Sequence, residues 1–290
     1  MVTKKPTKIV PDTTHNMVSG KLAKIASETV SFVISGRYKT CDGTTVNMSD
    51  AVESSRRRTY SVPPTQNIGT QIVPSTVPNA TTLRVLNTTT LKAAQDLHSK
   101  GLNPVSLNFA SAKRPGGGFM SGAQAQEEYL CRLSSLYYCL QGQPMYEWHH
   151  KNPGTLYSSW VVYSPDVVVF RDDNHGLLAE PWATHIITSP APNIGSQKLV
   201  DKIDQKEIKN VLTERAGRIL SVAHKEGHDS LVLGAWGCGV FGCDPKMVAT
   251  VFHGLLTGPY NGVFREVVFA VLDHNPGQPN FTAFAKIMGS

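Results

Sequence analysis

The chain has 290 residues, of which 40% are hydrophobic and 17% charged, and this composition is ordinary for a globular protein with one large or two small domains. Its formal charge of +6 suits a polyanionic partner such as a nucleotide polymer or a nucleic acid, although a mildly basic enzyme would carry the same charge. No apolar run approaches the ~18 residues of a membrane-spanning helix, and no apolar core follows the first basic residues. We therefore expect no transmembrane segment, no membrane partner and no secretory signal.

Cysteine and histidine usage gives no sign of a disulfide framework or a metal site. The cysteines are Cys41, Cys131, Cys139, Cys238 and Cys243. Their odd number and irregular spacing predict free thiols and therefore an intracellular location, in the cytoplasm or the nucleus. The adjacent pair His149 and His150 would point in different directions on a helix or a strand, so joint ligation of a metal is awkward. We predict no metal and no cofactor.

The first part of the chain is predicted to be helical and then irregular. Residues 1–12 are polar, contain two prolines and are expected to be loose. Apolar residues recur at helical spacing from Asn16 to about Ile34, and Gly36 is placed to end that helix. The segment 37–80 is rich in Ser, Thr, Pro and Arg. Its run Arg56–Arg58 is either a polymer contact or, more simply, a solvated helix end.

From residue 82 onwards, strands and helices alternate. Strands are predicted at 82–87, 105–110, 159–163, 167–171, 184–188, 230–233 and 267–272. Helices are predicted at 91–100 after an N-cap at Thr89 or Thr90, at 129–136, at 198–224, and from 244 to about 256. This alternation indicates an α/β protein with a mixed, mostly parallel sheet and helices on both faces.

A glycine-rich loop follows the strand at 105–110. Gly116, Gly117 and Gly118 permit positive φ angles and close approach of a ligand, and the loop amides with the next helix N-terminus would form a seat for phosphate. Glu127 and Glu128 stand at the start of that helix. Acidic residues there favour the helix dipole for structural reasons alone, but beside an anion seat they also suggest a catalytic acid.

A second glycine-rich loop, residues 234–242, follows the strand at 230–233. Taken alone, it is a tight turn or a nicotinamide-dinucleotide fingerprint. The dinucleotide interpretation is weakened because the loop lies late in the chain and no first βαβ unit surrounds it. Ligands in α/β sheets bind at the carboxyl ends of strands, so we expect the two loops to face one cleft and to hold a diphosphate between them.

The two loops together carry a family resemblance. Gly116–Gly118, then seven residues, then Gln126-Glu127-Glu128 is the signature of the poly(ADP-ribose) glycohydrolases. The chain resembles their shorter bacterial and fungal branch from about Asn16 to the C-terminus, and the block Gly-Ala-Trp-Gly-Cys-Gly-Val-Phe at 234–241 matches that branch as well. The resemblance implies a macrodomain-like three-layer α/β/α fold with a mixed sheet. It also implies an N-terminal helical accessory segment, residues 13–80, on one integrated catalytic domain, residues 81–290.

The resemblance also implies an activity. An exo-acting enzyme of this kind hydrolyses the ribose–ribose O-glycosidic bond of poly(ADP-ribose) and releases ADP-ribose without a cofactor. Glu128 would be the general acid and then the base, Glu127 would bind ribose hydroxyls, and Phe241 would pack against the distal ribose. The other candidate substrate contacts are Asn108, Gly116, Gly117, Gly118, Gln126, Asn193, Gly237, Cys238, Gly239 and Val240.

Other functions stay open at this point. The same chemistry could act on ADP-ribose attached to DNA or to a protein side chain, and the basic charge favours a nucleic-acid contact. A non-catalytic ADP-ribose-binding macrodomain would need the phosphate loops but no acid, so the intact Gln126-Glu127-Glu128 distinguishes it from an enzyme. An unrelated α/β nucleotide enzyme remains only if the resemblance is accidental.

Overall fold

The computed structural model describes residues 13–69, 81–195 and 204–289. The stretch predicted to be loose, residues 1–12, lies outside the described residues, as do residues 70–80 and the first turns of the helix predicted at 198–224.

A seven-stranded mixed sheet forms the centre of the molecule. Its strands are β3 (Tyr60–Val62), β4 (Thr82–Leu86), β5 (Pro104–Phe109), β6 (Val161–Arg171), β7 (Leu177–Ser189), β8 (Ser230–Leu233) and β9 (Glu266–Ala270), and a separate hairpin pairs β1 (Arg37–Lys39) with β2 (Thr45–Asn47). The order across the sheet is β3-β6-β7-β5-β8-β9-β4. The first two pairings are antiparallel and the other four are parallel. The predicted mixed, mostly parallel sheet is confirmed.

Helices cover both faces of this sheet. They are α1 (Thr13–Ser35), α2 (Ser49–Arg58), α3 (Thr90–Ser99), α4 (Gln126–Leu133), α5 (Leu136–Leu140), α6 (Pro144–Lys151), α7 (Gln205–Lys225), α8 (Pro245–Thr257) and α9 (Pro279–Met288). Helices α7, α8 and α9 pack on one face of the sheet, against buried side chains that the strands present on that face. Helices α1, α3, α4, α5 and α6 pack on the other face. Because strand side chains alternate, each strand contributes to both cores, and the predicted three-layer arrangement follows.

Two features of the fold differ from the sequence prediction. The strands predicted at 159–163 and 167–171 are one long strand, β6, with a register shift between Ser164 and Val167. Asp166 adopts a positive φ of 48° there, because the extra residues must bulge out of the ladder, and the polar Ser-Pro-Asp run looks like a turn in the sequence. The helices α2, α5, α6 and α9 and the strands β1–β3 were not predicted, since each is short or lacks a clear apolar period.

The N-terminal region is attached to the central sheet. Strand β3 pairs antiparallel with β6 at the sheet edge, and the run Arg56–Arg58 forms the exposed last turn of α2. On the other side, Thr29 in α1 donates a 2.9 Å hydrogen bond to the Arg132 carbonyl in α4. The division at residue 80 between an accessory segment and a catalytic domain stays a prediction. Within the described ranges, no helix combines the length and apolarity needed to cross a bilayer.

The parallel strands place the functional loops. The carboxyl ends of β5 and β8 lie at the same edge of the sheet, and the loops at 110–125 and 234–244 leave from those ends. Helix α1 packs against the first of these loops, where Ser19 Oγ donates to the Ser121 carbonyl at 2.9 Å. Gly122, with φ of 80°, lies so close that a Cβ there would overlap the Ser19 carbonyl.

This close approach predicts a specific loss of stability for Gly122→Ala. The left-handed φ costs ~1–2 kcal/mol with any Cβ, and overlap with the α1 backbone adds a further ~1–3 kcal/mol. Gly43→Ala is the matched control, because Gly43 has a φ of 87° but open space around it, so only the first cost applies. Urea denaturation of both variants measures the difference. Equal losses would contradict a tight contact between α1 and the loop.

Candidate active site

Both glycine-rich loops line one cavity of about 450 Å³ at the carboxyl edge of the sheet. Its walls are Phe109, Ser111, Arg114, Gly117, Gly118, Ala125, Gln126, Glu127, Glu128, Ala191, Ala235, Trp236, Gly237, Gly239, Val240 and Phe241. The first loop and the start of α4 therefore face the second loop across an open space.

Glu127 is buried at the start of α4 and is held by two N–H donors. Its Oε2 accepts from the Ser111 backbone N–H at 2.7 Å, and its Oε1 accepts from Asn108 Nδ2 at 3.4 Å. Burial raises the pKa of Glu127 to about 8, and the neighbouring Glu128 carboxylate adds to the increase while the hydrogen bonds oppose it. This carboxyl group therefore holds a proton far more readily than an exposed glutamate.

Glu128 is 7% exposed, and within the described residues one donor holds it. Its Oε1 accepts from the Gly118 backbone N–H at 2.8 Å. Its Oε2 is buried and has no hydrogen-bond partner among the residues that the structure describes. Glu128 lines the cavity, so a group bound there would supply the partner that this buried oxygen lacks.

The first glycine-rich loop is shaped around these carboxyl groups. Gly117 has φ of 58°, and a Cβ there would overlap Glu128 Oε1 and lie 3.0 Å from Glu127 Oε2. A Cβ at Gly116 would lie 2.8 Å from the Tyr137 ring, and Gly116 does not line the cavity. The Gly117 amide donates to the Arg114 carbonyl, and the Gly118 amide donates to Glu128. The Gly117 and Gly118 amides, which we expected to bind phosphate, therefore already donate hydrogen bonds within the protein.

Gln126 and Asn108 lie deeper than expected for residues that contact a ligand. Gln126 lines the cavity, but its side-chain amide accepts from the Phe109 backbone N–H at 2.9 Å and donates to the Leu107 carbonyl at 2.8 Å. These bonds fix the first turn of α4 to the end of β5. Asn108 is completely buried behind Glu127, and its Nδ2 also donates to Thr188 Oγ1 at 3.2 Å. Neither arrangement leaves the amide pointing freely into the cavity.

The second loop presents unused amides. The turn is closed by bonds from the Gly242 amide to the Gly239 carbonyl and from the Cys243 amide to the Gly237 carbonyl. Within residues 13–69, 81–195 and 204–289, the amides of Gly239, Val240 and Phe241 have no acceptor. Val240 is 89% exposed at the rim, and successive free amides of this kind form an anion seat. Cys238 does not line the cavity, and burial raises the pKa of its thiol, so it stays neutral.

Two predicted substrate contacts, Phe241 and Asn193, and two residues that sequence reasoning missed, Ser111 and Arg114, complete the surroundings of the cavity. Phe241 is half-buried, lines the cavity and packs its ring against Tyr157 with the centroids 5.9 Å apart. Asn193, a candidate substrate contact, does not line the cavity, and its Nδ2 donates to the Tyr157 hydroxyl at 3.3 Å. Ser111 binds Glu127 through its backbone, for which no sequence signal exists. Arg114, exposed at the rim, belongs to the motif region and was passed over.

A second cavity of about 720 Å³ continues the first. The two share Phe109, Ala125, Gln126 and Ala235, so they form one groove along the carboxyl edge of the sheet. Its far wall includes Val18, Lys21 and Leu22 of α1. In the described part of the chain, no group of three histidine, cysteine or acidic side chains is arranged to hold a metal ion. Of the pair considered as ligands, His149 is buried and His150 is exposed.

Comparison with known proteins identifies relatives of this arrangement. The family model described as "Microbial-type PARG, catalytic domain" matches residues 26–172. The crystal structure of poly(ADP-ribose) glycohydrolase (PARG) from Thermomonospora curvata is 43% identical, covers 92% of this chain and 99% of that chain, and has a TM-score of 0.87. The structure of the same enzyme bound to the inhibitor ADP-HPD is 44% identical, covers 92% of this chain and 99% of that chain, and has a TM-score of 0.85.

A second bacterial enzyme is similar. Poly(ADP-ribose) glycohydrolase from Deinococcus radiodurans, in complex with ADP-ribose, is 41% identical, covers 82% of this chain and 96% of that chain, and has a TM-score of 0.74. A search of curated proteins finds no match. The solved structures confirm the macrodomain-like fold that the sequence resemblance implied.

The buried Glu127 predicts a stability that falls as the pH rises. Its pKa is 4.5 in an exposed chain and about 8 in the folded protein, so between these values the folded state binds a proton that the unfolded state releases. The contribution of Glu127 to stability is then greatest below about pH 4.5 and is lost as the pH rises to about 8, by at most ~1.4 kcal/mol per pH unit.

Urea denaturation of the wild type and Glu127→Gln between pH 5 and 8.5 measures this slope. In Glu127→Gln, the free energy of unfolding should no longer decrease as the pH rises. At pH 8.5 this variant should therefore be more stable than the wild type. Glu180→Gln, which changes an exposed glutamate of β7, is the control and should keep the wild-type slope. Parallel curves for the wild type and Glu127→Gln would contradict a raised pKa at this carboxyl.

Proposed function

Because the chain belongs to the microbial-type poly(ADP-ribose) glycohydrolases, we propose that it hydrolyses the ribose–ribose O-glycosidic bond of poly(ADP-ribose) and releases ADP-ribose. The observation that carries this proposal is the buried carboxyl group of Glu128, which lines the cavity and whose Oε2 has no hydrogen-bond partner within the described residues. A glycosidase needs such an oxygen to protonate the leaving group.

The second loop binds the diphosphate of the ADP-ribose unit. The amides of Gly239, Val240 and Phe241 are three consecutive donors that have no acceptor in the described parts of the chain. Gly237, with φ of 76°, lies so close to Ala191 that a Cβ there would be 2.5 Å from the Ala191 Cβ, so the turn needs glycine at this position. The first loop has the different task of holding the carboxyl groups.

Two adjacent buried carboxyl groups retain at least one proton at neutral pH. Burial raises the pKa of Glu127 to about 8, so a proton is held at this pair of side chains. The substrate diphosphate disfavours further ionisation. Protonation of the leaving group requires this proton on Glu128 Oε2 in the productive complex, and the Ser111 and Asn108 donors then stabilise the carboxylate that Glu127 carries. Glu127 then accepts a hydrogen bond from a hydroxyl of the distal ribose.

The reaction follows from this distribution of protons. Glu128 Oε2 donates its proton to the oxygen that bridges the two riboses, and the bond from that oxygen to the anomeric carbon breaks. The sugar becomes oxocarbenium-like, while the Gly118 amide stabilises the new Glu128 carboxylate. A water adds to the anomeric carbon and returns a proton to Glu128, so one water is consumed and the enzyme is restored. The negative diphosphate stabilises the cationic sugar, and Phe241 packs against its face.

The continuing cavity of about 720 Å³ holds the adenosine of the same unit. Residues of α1 form its far wall, so the groove is bounded at the end where a further polymer unit would be attached. A groove with a wall at its adenosine end accepts terminal units of the polymer, and we propose exo-acting cleavage on this basis.

A related substrate is the second candidate. ADP-ribose attached to DNA or to a protein side chain would require the same acid with a different leaving group. The net charge of +6 and the exposed Arg114 at the cavity rim favour an anionic leaving partner such as nucleic acid. All five cysteines are free thiols, which suits the reducing conditions of the cytoplasm or the nucleus.

Removing the acid should separate turnover from binding. Glu128→Gln keeps the acceptor for the Gly118 amide but cannot donate a carboxylic proton, so kcat should fall by roughly 10²–10⁴-fold. ADP-ribose affinity, measured by calorimetry, should change by no more than about threefold, since the diphosphate seat is untouched. Glu207→Gln, at an exposed glutamate in the first turn of α7, is the control and should retain full activity. Equal loss of turnover and affinity, or loss of neither, would contradict the role of Glu128. A wild type that binds ADP-ribose but turns over no substrate would indicate an ADP-ribose-binding module instead.

Product analysis should separate the candidate substrates. Automodified polymer and thymidine-ADP-ribosylated DNA are presented to the same enzyme, and ADP-ribose release is followed by chromatography. We expect release from the polymer. Activity on the modified DNA alone would assign the second candidate instead.

A thermal shift with ADP-ribose but none with nicotinamide dinucleotides excludes an unrelated nucleotide enzyme.

A further inference from the structure

Tyr157 has an unusual backbone conformation close to the candidate active site. It lies between α6 and β6, is half-buried, and adopts a φ of 55°. A bulky residue with positive φ is a genuine outlier, because its Cβ crowds the backbone. Such strain persists only where the surrounding structure holds the residue in place, and it concentrates at functional sites.

His149 holds this segment from one side. The residue is completely buried, and its Nδ1 donates to the Met145 carbonyl at 2.8 Å. Its Nε2 therefore accepts, at 3.1 Å from the Ser158 backbone N–H and at 2.9 Å from the Ser158 hydroxyl. Burial lowers the pKa of His149, so the ring stays neutral and this arrangement is preserved. The Tyr157 ring packs edge-on against the His149 ring with the centroids 5.6 Å apart.

Arg215 and Asn193 hold the segment from the other side. Arg215, on α7, is 2% exposed, and its guanidinium donates to the Leu156 carbonyl and, at 3.0 Å, to the Pro190 carbonyl. The Asn193 backbone N–H donates to the Thr155 carbonyl at 2.8 Å, and its side chain donates to the Tyr157 hydroxyl at 3.3 Å. The residues on both sides of Tyr157 are thus tied to the segment that follows β7.

The same segments hold Phe241. The Ile194 backbone N–H donates to the Phe241 carbonyl at 2.8 Å, which fixes the second loop to the segment after β7. The Phe241 ring lies against the Tyr157 ring at a tilt of 53°. Phe241 lines the cavity and Tyr157 does not. The ring of Tyr157 therefore contacts the cavity wall through the ring of Phe241.

We infer that Tyr157 is a positioning residue, whose strained backbone is maintained so that its ring fixes the Phe241 ring over the distal ribose. This inference rests on the proposed function, because it assigns a cause to the orientation of Phe241 in that reaction. Without the Tyr157 ring, Phe241 gains freedom, and the distal ribose loses its alignment with Glu128.

A double-mutant cycle tests this coupling. Tyr157→Ala should lower kcat by roughly 10–100-fold, as misplacement of a reacting group does, with a smaller change in KM. The double variant with Phe241→Ala should be no slower than Phe241→Ala alone, because the Tyr157 ring acts only through Phe241. Comparing the affinities for ADP-ribose and ADP isolates the contribution of the distal ribose. Tyr157→Ala should weaken ADP-ribose binding and leave the affinity for ADP, which lacks that ribose, unchanged.

Two more variants separate the ring from the backbone. Tyr157→Phe keeps the ring and loses the bond with Asn193, so it should restore most of kcat. Tyr157→Gly removes the backbone strain with the ring, so it should fold at least as well as Tyr157→Ala and still have its low kcat. Gln278→Gly is the matched control, because Gln278 is exposed and has a φ of 46° without contact to the cavity. Gln278→Gly should be more stable than the wild type and should keep the wild-type kcat.

The outcomes distinguish this inference from the proposed function. A wild-type enzyme that releases no ADP-ribose from any substrate contradicts the proposed function itself. An active wild type with independent losses in Tyr157→Ala and Phe241→Ala contradicts the positioning role alone. Wild-type kcat in Tyr157→Gly, or equal weakening of ADP and ADP-ribose binding in Tyr157→Ala, contradicts it as well.

Discussion

The structure depends on keeping two adjacent carboxyl groups buried at the start of α4. A buried carboxyl is costly unless donors satisfy it or a proton neutralises it, and both solutions are present. The Ser111 and Gly118 amides each bind one of the two carboxyl groups, and burial raises the pKa of Glu127 to about 8. Gly117 has no Cβ because these carboxyl oxygens occupy the space that one would fill. Gln126 fixes the same helix turn to β5.

The two glycine-rich loops consequently divide the work. In the first loop, the Gly118 amide donates a hydrogen bond to the Glu128 carboxyl group. The amides of Gly239 to Phe241 in the second loop have no acceptor in the described parts of the chain. One loop thus holds the two carboxyl groups and the other leaves amides for an anion, as the proposed reaction requires. The parallel β5 and β8 bring both loops to one edge, and α1 packs on the outside of the first loop through Ser19. The geometry of a glycosidase acting on a diphosphate-bearing ribose follows from this division.

Sequence reasoning could predict whatever depends on local pattern. The apolar runs gave β5, β8 and β9, and the spacing of Gly116–Gly118 and Gln126-Glu127-Glu128 placed the acids at a helix start. Partnerships between distant segments could not be predicted. Asn193 looks like a ligand contact in the sequence, but its amide binds Tyr157, and nothing local indicates that Arg215 ties two loops together. The bulge in β6 was missed because it depends on the pairing with β7.

The central claim is that Glu128 carries a proton to the leaving oxygen, and the dependence of rate on leaving group tests it most directly. The wild type and Glu128→Gln are compared on the polymer and on an ADP-ribose derivative with a nitrophenyl leaving group, which departs without protonation. The account predicts that the variant loses far more activity on the polymer than on the nitrophenyl substrate. The same loss on both substrates would contradict it.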